Sequence, residues 1–136
     1  MSQTADALIE SYYAAFNAGD MDKFFSLLTD DVIHDTNQGS REIGKGPFKA
    51  FMVRMNTNYK EQLVEMVIMS TADGTRAAAE FVVLGEYLVT DEGLPEAKGQ
   101  KYRLPAGAFF DIRDGKVARI TNYYNLEDWI KQVSQG

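Results

Sequence analysis

A tyrosine near the N-terminus and a later His–Asp pair are the side chains of this sequence best suited to chemistry. Tyr12 lies between Leu8 and Phe16 at helical spacing, so it shares the apolar face of a first predicted helix. His34 and Asp35 end a short apolar stretch that is typical of a strand. A phenol and a proton acceptor in one apolar cavity can polarise a carbonyl group and move a proton beside it. These residues predict acid/base chemistry on a carbonyl compound, unless Tyr12 is simply a core tyrosine.

Only one side chain of the His34–Asp35 pair is expected to face the interior, because neighbouring residues of a strand point to opposite faces. An inward-facing carboxylate would have a raised pKa and could accept a proton near neutral pH. An inward-facing histidine could do the same with less adjustment of its pKa. The alternation does not decide between them, and in a third interpretation both side chains bind the loop at 36–39.

Length, charge and cysteine content exclude several classes of function. The chain has 136 residues, no cysteine and a net charge of −6, which predicts one domain spanning 1–136. Nucleic acid and anionic membranes are not expected partners, because both require clustered Lys and Arg. No signal peptide or membrane-spanning run is visible, so we expect a cytoplasmic protein. One histidine without cysteine does not supply a usual zinc site, and neither a metal nor a cofactor is expected.

Helical patterns come first in the chain. The first helix is expected to end at Gly19, and Asp20 to cap a second helix that ends at 29–31. A short strand at 32–35 and a polar loop then lead to a third helix, which Pro47 opens.

Strand patterns follow the helices. Turn signals separate four stretches rich in apolar residues, whose short connections predict an antiparallel meander. Asn125 is expected to cap a last short helix. This order predicts an α+β fold in which helices cover the concave face of a curved antiparallel sheet and enclose a cavity. The four predicted strands are 63–70, 75–89, 100–112 and 117–124.

Strand alternation also predicts which side chains line the cavity. On the last strand, Asn122 and Tyr124 share one face with Ile120. The full set of expected ligand-binding residues is Phe16, Phe48, Phe51, Phe81, Val83, Arg103, Gly107, Phe109, Ile120, Asn122 and Tyr124. The opposite face, with Glu80, Val82, Leu84 and Glu86, is expected to be solvent-exposed or to contact a second copy of the chain in a homodimer.

The segment Tyr12–Asp20 (YYAAFNAGD), followed by Leu28–Val32 (LTDDV), resembles the opening of the ketosteroid isomerase and SnoaL-like polyketide cyclase families. The order of elements agrees over essentially the whole chain, which implies the cone fold of nuclear-transport-factor-2-like proteins. The resemblance places Tyr12 where the isomerases have a tyrosine that donates to the developing enolate oxygen. Asp35 matches the isomerase base, but its segment is one residue shorter here, so His34 remains the alternative.

The second oxyanion donor of the isomerases, a protonated aspartic acid, is matched by Gly107, which has no side chain to donate. Losing one such donor costs about 3–4 kcal/mol, so steroid isomerisation is not favoured. The resemblance implies a cofactor-free isomerase- or cyclase-like enzyme that acts on a small, largely apolar carbonyl compound. The alternatives are a non-catalytic ligand-binding or dimerisation module of the same fold, and an epoxide hydrolase that uses Arg103 with Asp35.

Overall fold

Helices cover one face of a single mixed sheet in a computed structural model, which describes residues 2–134. The helices are α1 (Gln3–Ala18), α2 (Met21–Ser26), α3 (Lys45–Asn58) and α4 (Leu126–Ser134). The strands are β1 (Leu28–Asp35), β2 (Arg41–Ile43), β3 (Tyr59–Ser70), β4 (Arg76–Tyr87), β5 (Gln100–Arg113) and β6 (Lys116–Tyr124). The sheet has the order β2-β1-β6-β5-β4-β3 and is not closed into a barrel, so the α+β prediction is confirmed.

Three predicted helix boundaries are confirmed: the end of the first helix and the starts of the second and the last. The C-cap of α1 is Gly19, whose φ of 72° lies in the left-handed region that glycine adopts without a steric cost. Asp20 caps α2, because its side chain accepts a hydrogen bond from the Lys23 amide at 3.1 Å. Asn125 likewise accepts a hydrogen bond from the Asp128 amide at 3.0 Å, at the start of α4.

The prediction that residues 29–31 end the second helix is wrong. The helix ends at Ser26, and the strand that follows begins at Leu28 rather than at Val32. Strand pairing outweighs the polar character of this stretch, since the Val117 amide of β6 donates to the Leu27 carbonyl at 2.8 Å.

The sheet is mixed rather than wholly antiparallel. Strands β3 to β6 form the predicted antiparallel meander, but β1 lies parallel to β6, with His34 opposite Ile120. A parallel neighbour requires a long connection, and here most of the chain separates the two strands. Two further differences are the short strand β2 inside the predicted loop and the start of α3 at Lys45 rather than Pro47.

The two faces of the sheet have different environments. The inner face, which the helices cover, carries most of the core, including Ile120 at 1% exposure and Phe110 at 0%. The outer face carries half-exposed apolar side chains, among them Phe109 and Tyr123. No helix within residues 2–134 is long and apolar enough to cross a membrane.

Candidate active site

Tyr12 lies on the inner side of the sheet, inside an aromatic cluster. Its ring contacts Tyr13, Phe24 and Phe110, with centroid distances of 5.0, 4.5 and 5.4 Å, and the residue is 4% exposed. Burial raises the pKa of the Tyr12 phenol, so the hydroxyl is a neutral donor at physiological pH. Among residues 2–134, no hydrogen bond from this hydroxyl is formed, which leaves it available to a ligand oxygen.

A second buried phenol lies beside Tyr12. The Tyr13 ring contacts Phe81 and Phe110, at centroid distances of 5.2 and 6.0 Å. Its hydroxyl is buried and has no hydrogen-bond partner within the described part of the chain. Such atoms are uncommon in folded proteins, so Tyr13 is a candidate donor that the sequence pattern did not single out.

The structure decides which member of the His34–Asp35 pair faces inward. His34 is 2% exposed, its ring stacks on Phe48 at a centroid distance of 4.5 Å, and Phe51 contacts it at the same distance. Burial lowers the pKa of the imidazole more than the nearby Glu42 carboxylate raises it. The ring is therefore neutral near pH 7, the state in which a histidine accepts a proton.

The imidazole also has an unused nitrogen. Within residues 2–134, Nδ1 of His34 is buried without a hydrogen-bond partner, and its nearest acidic oxygen is Oε1 of Glu42 at 3.7 Å. A distance of 3.7 Å is too long for a hydrogen bond. Nδ1 can consequently accept a proton without first losing a hydrogen bond.

Asp35 points to the outer face, so of the two alternatives that the sequence left open it is His34 that faces the interior. Its carboxylate forms a bidentate ion pair with Arg41, at 2.6 and 2.9 Å, and also accepts hydrogen bonds from Thr121 and Arg119. The hydrogen bonds from Arg41 chiefly hold the pKa of Asp35 below its ordinary value. A carboxylate held this firmly in its charged form is a weak base.

Replacement of Asp35 by asparagine is expected to lower the free energy of unfolding by about 1 kcal/mol, because it removes the charge that pairs with Arg41 and Arg119. The folded-state pKa of Asp35 is depressed, so its contribution is present at neutral pH and is lost as the pH falls below about 4. Urea unfolding between pH 7 and pH 3 measures both effects. Equal stability of the two proteins across this range would contradict the assigned role.

Three other residues expected in the pocket lie on the outer face of β5. Arg103 forms an exposed ion pair with Glu65 at 2.6 Å, and Phe109 is 47% exposed beside Tyr123. Gly107 alternates with them and shares their face. The reason is the strand register, which turns Leu104, Ala106 and Ala108 inward instead. The hypothesis of an epoxide hydrolase required Arg103 and Asp35 to act together. It is excluded, because Arg103 binds Glu65 and Asp35 binds Arg41.

The structure places the other expected lining residues on the inner side of the fold. Asn122 and Tyr124 alternate with buried Ile120 on β6, and Tyr124, at 37% exposure, lies near the edge. Partly buried Phe16 and Phe51 pack against the core from α1 and α3. The fully buried members of this set are Phe48, Phe81, Val83 and Ile120.

Glu61 and Tyr102 are inward-facing polar residues that the sequence analysis missed. The Tyr102 hydroxyl donates to Oε2 of Glu61 from two strands away, across Gly85 of β4. Both residues alternate with core positions, Tyr59 and Leu63 on β3 and Leu104 on β5. The alternation of inward- and outward-facing residues would have identified Glu61 if the third strand had been predicted to start at Tyr59.

Two depressions within residues 2–134 lie on the outside of the fold, and neither of them is the expected internal cavity. The larger, of about 770 Å³, lies on the outer sheet face and is lined by Val82, Pro105, Phe109 and Tyr123, among others. The second copy of the chain expected on this face stays a prediction. On the inner side, Tyr12 and His34 are themselves buried among aromatic rings, and Phe51 is a partly buried side chain in contact with the imidazole.

Comparisons with known proteins identify the family. The model of the SnoaL-like domain matches residues 9–120. A crystallised candidate polyketide cyclase of Pseudomonas putida KT2440 is 62% identical, with a TM-score of 0.94 over 97% of this chain and 99% of its own. Candidate polyketide cyclases of Xanthomonas campestris pv. campestris and Silicibacter sp. TM1040 are each 56% identical, with TM-scores of 0.93 and 0.94. The Xanthomonas match covers 96% of this chain and 97% of that one, and the Silicibacter match 96% of both. No curated protein matches the chain significantly.

The family match extends over most of the chain, and the fold agrees with that of the nuclear-transport-factor-2-like proteins, which the resemblance implied. The residues around Tyr12 and the order of the elements both resemble this family. The chain belongs to the SnoaL-like family.

Proposed function

We propose that this protein is a cofactor-free acid/base enzyme, isomerase- or cyclase-like, for a small and largely apolar carbonyl compound. The observation that carries the proposal is a neutral, buried imidazole with an unpartnered nitrogen on the inner face of the sheet. The relatives of this chain that are known as crystallised candidate polyketide cyclases support the same class of chemistry. In this proposal His34, not Asp35, accepts the proton, because Asp35 is bound to arginines on the other face.

The proposed first step is the removal of a proton beside the carbonyl group. The C–H bond breaks, the proton moves to the imidazole of His34, and the electron pair forms the carbon–carbon double bond of an enolate. The negative charge moves to the carbonyl oxygen, where the Tyr12 hydroxyl donates a hydrogen bond to it. The Glu42 carboxylate, 3.7 Å from Nδ1, stabilises the imidazolium that results.

The number of oxyanion donors restricts the substrate. On the inner face of β5, Phe110 contacts Tyr12 and is followed by Ala108 and Ala106, and none of these side chains can donate a hydrogen bond. With Tyr12 as the single assigned donor, the enolate is stabilised less than in a site with two donors. The favoured substrates are therefore ketones whose C–H group is already acidified by a second unsaturated group.

Access to the imidazole in this proposal requires a side chain to move. Phe51 contacts the His34 ring edge-on and is only partly buried, whereas Phe48 on the other contact is 2% exposed. Rotation of Phe51 is accordingly the movement that would admit a ligand, and side-chain rotations of this kind are fast.

The wild-type protein is expected to exchange the C2 hydrogens of 3-cyclohexenone for deuterium in D2O and to convert part of it to 2-cyclohexenone. This ketone is small, apolar and acidified at C2 by both the carbonyl group and the double bond. Proton NMR measures the exchange and ultraviolet absorbance the conjugated product. Rates equal to the buffer rate at all concentrations of protein would contradict an enzyme of this class, and ligand-induced thermal stabilisation without exchange would favour the non-catalytic binding module.

A further inference from the structure

Asn122 is a hydrogen-bonding side chain on the inner face of β6, immediately beyond the residue that pairs with His34. Ile120 of β6 lies opposite His34 of β1. Asn122 follows Ile120 by two residues on the same face, where it lies opposite Ala108 of β5. Neighbouring strands are about 4.8 Å apart and two residues of a strand span about 6.6 Å, so the Cα atoms of His34 and Asn122 are about 8 Å apart. One small ligand can therefore contact both side chains.

The amide of Asn122 is free to bind a ligand. Within residues 2–134 its side chain forms no hydrogen bond, whereas Thr121 beside it on the outer face donates to Asp35. An asparagine amide has an acceptor oxygen and two N–H donors, and polar groups on the inner side of a fold usually find partners. Asn122 is only partly buried, so water can occupy these positions in the free protein and a ligand can displace it.

Exposure increases along the inner face of β6. Ile120 is 1% exposed, Asn122 is partly buried, and Tyr124 is 37% exposed. His34, opposite Ile120, is 2% exposed. A ligand whose reacting end lies beside the imidazole can consequently extend along β6, with Asn122 between its buried end and solvent.

The charges at the Asn122 end favour an uncharged group on the ligand. The inner-face neighbours of Asn122 on β5 and β6 are Ala108, Ala106, Ile120 and Tyr124, and none of them carries a positive charge. Burial, followed by the charges of Glu61 and Asp91, raises the pKa of Tyr124. The ionisable groups that act on Tyr124 are therefore acidic, and an anionic substituent would be repelled there.

We propose that Asn122 determines substrate specificity, and that the favoured substrates are ketones with an uncharged hydroxyl group at the end away from the reacting C–H group. The proposal rests on the proposed function and names the second polar group of its substrate. The ketone lies beside His34 and Tyr12, and the distal hydroxyl donates a hydrogen bond to Oδ1 of Asn122. Asn122 takes no part in the removal of the proton.

The test compares 6-hydroxy-2-tetralone with 6-methyl-2-tetralone. Both are rigid bicyclic ketones whose C1 hydrogens are acidified by the carbonyl group and the aromatic ring, and their substituents at C6 are similar in size. The measured quantity is the ratio of the two kcat/KM values for C1 deuterium exchange, each divided by the exchange rate in buffer alone. The wild type is expected to prefer the hydroxyl compound by about three- to tenfold, the usual effect of one uncharged hydrogen bond.

Three variants assign this preference to one side chain. Asn122→Leu is expected to lower the ratio to about one, and Asn122→Asp, which keeps an acceptor oxygen, to retain the preference. Asn56→Leu makes the same change at an exposed position of α3 and is expected to match the wild type. Both ketones are measured on one preparation, so partial unfolding lowers both rates together and leaves the ratio unchanged. The loss is expected in KM, because a group remote from the reacting carbon binds the ground state and the transition state alike.

The outcomes separate this proposal from the proposed function. Exchange of both ketones by the wild type without a preference, or a wild-type ratio in Asn122→Leu, overturns this proposal alone. Faster exchange of 2-tetralone-6-carboxylate than of the methyl compound contradicts the requirement for an uncharged group. The absence of enzymatic exchange from both tetralones and from 3-cyclohexenone overturns the proposed function and this proposal with it.

Discussion

His34→Gln is expected to lower the rate of C2 deuterium exchange into 3-cyclohexenone by about 10²–10⁴-fold, the usual contribution of a general base. Glutamine retains a polar group of similar reach but cannot accept a proton near pH 7. The buried imidazole with its unpartnered Nδ1 is the group that the substitution removes. Proton NMR of the ketone in D2O measures the rate.

Asp35→Asn is the matched control for this substitution, because it changes the neighbouring residue on the opposite face. It is expected to retain the wild-type exchange rate, since the Asp35 carboxylate is bound by Arg41 outside the core. If Asp35→Asn were inactive and His34→Gln active, the assignment of the base would be reversed.

His34→Gln also changes how stability depends on pH. Burial depresses the folded-state pKa of His34, so the unfolded chain takes up a proton first as the pH falls. The wild type is consequently expected to lose stability as the pH falls below about 6.5, and the glutamine variant to lack that part of the loss. Urea unfolding at pH 7.5 and pH 5 measures the difference and shows that the variant is folded.

Tyr12→Phe is expected to lower the same exchange rate by about 10²–10³-fold, the typical cost of one oxyanion donor. The melting temperature is expected to change little, because the ring keeps its contacts with Phe24 and Phe110 while the hydroxyl makes no hydrogen bond within residues 2–134. Proton NMR of the exchange, together with thermal unfolding, measures both.

Tyr13→Phe provides the control for the Tyr12 prediction. Tyr13 is 5% exposed against 4% for Tyr12, and its hydroxyl also lacks a partner in the described part of the chain, but it occupies the next position of the same helix. Exchange near the wild-type rate is expected in this variant. A large loss in Tyr13→Phe with none in Tyr12→Phe would transfer the donor role to the neighbouring phenol.

The sequence was sufficient to predict Tyr12 on the inner side, but not the orientation of the His34–Asp35 pair. Helical spacing fixes the face of Tyr12, since Leu8 and Ile9 on the same helix are also buried. The orientation of the pair depends on the register of β1 against β6, which shifts between Leu28 and Ile33. Long-range pairing of this kind leaves no local signal, and a shift of one residue exchanges the two faces.

The errors on β5 have a related cause. Its inner face carries Tyr102, Leu104 and Ala108, while its outer face carries Phe109 and Pro105, so apolar residues occur on both sides. Alternation then identifies two faces without showing which one the helices cover. Glu61 was missed for a different reason: the polar run Lys60–Gln62 obscured the start of β3, where strand pairing with β4 decides the structure.

The most direct test of the central claim, that His34 is the proton acceptor, is the pH profile of the C2 exchange rate. The chain contains a single histidine, so its imidazole signals can be followed by NMR in the same samples. We predict that the rate falls on the acidic side with the midpoint of the His34 titration, and that this midpoint lies below the ordinary histidine value because the ring is buried. A rate that stays constant while His34 titrates, or that falls with a midpoint unrelated to it, would contradict the account.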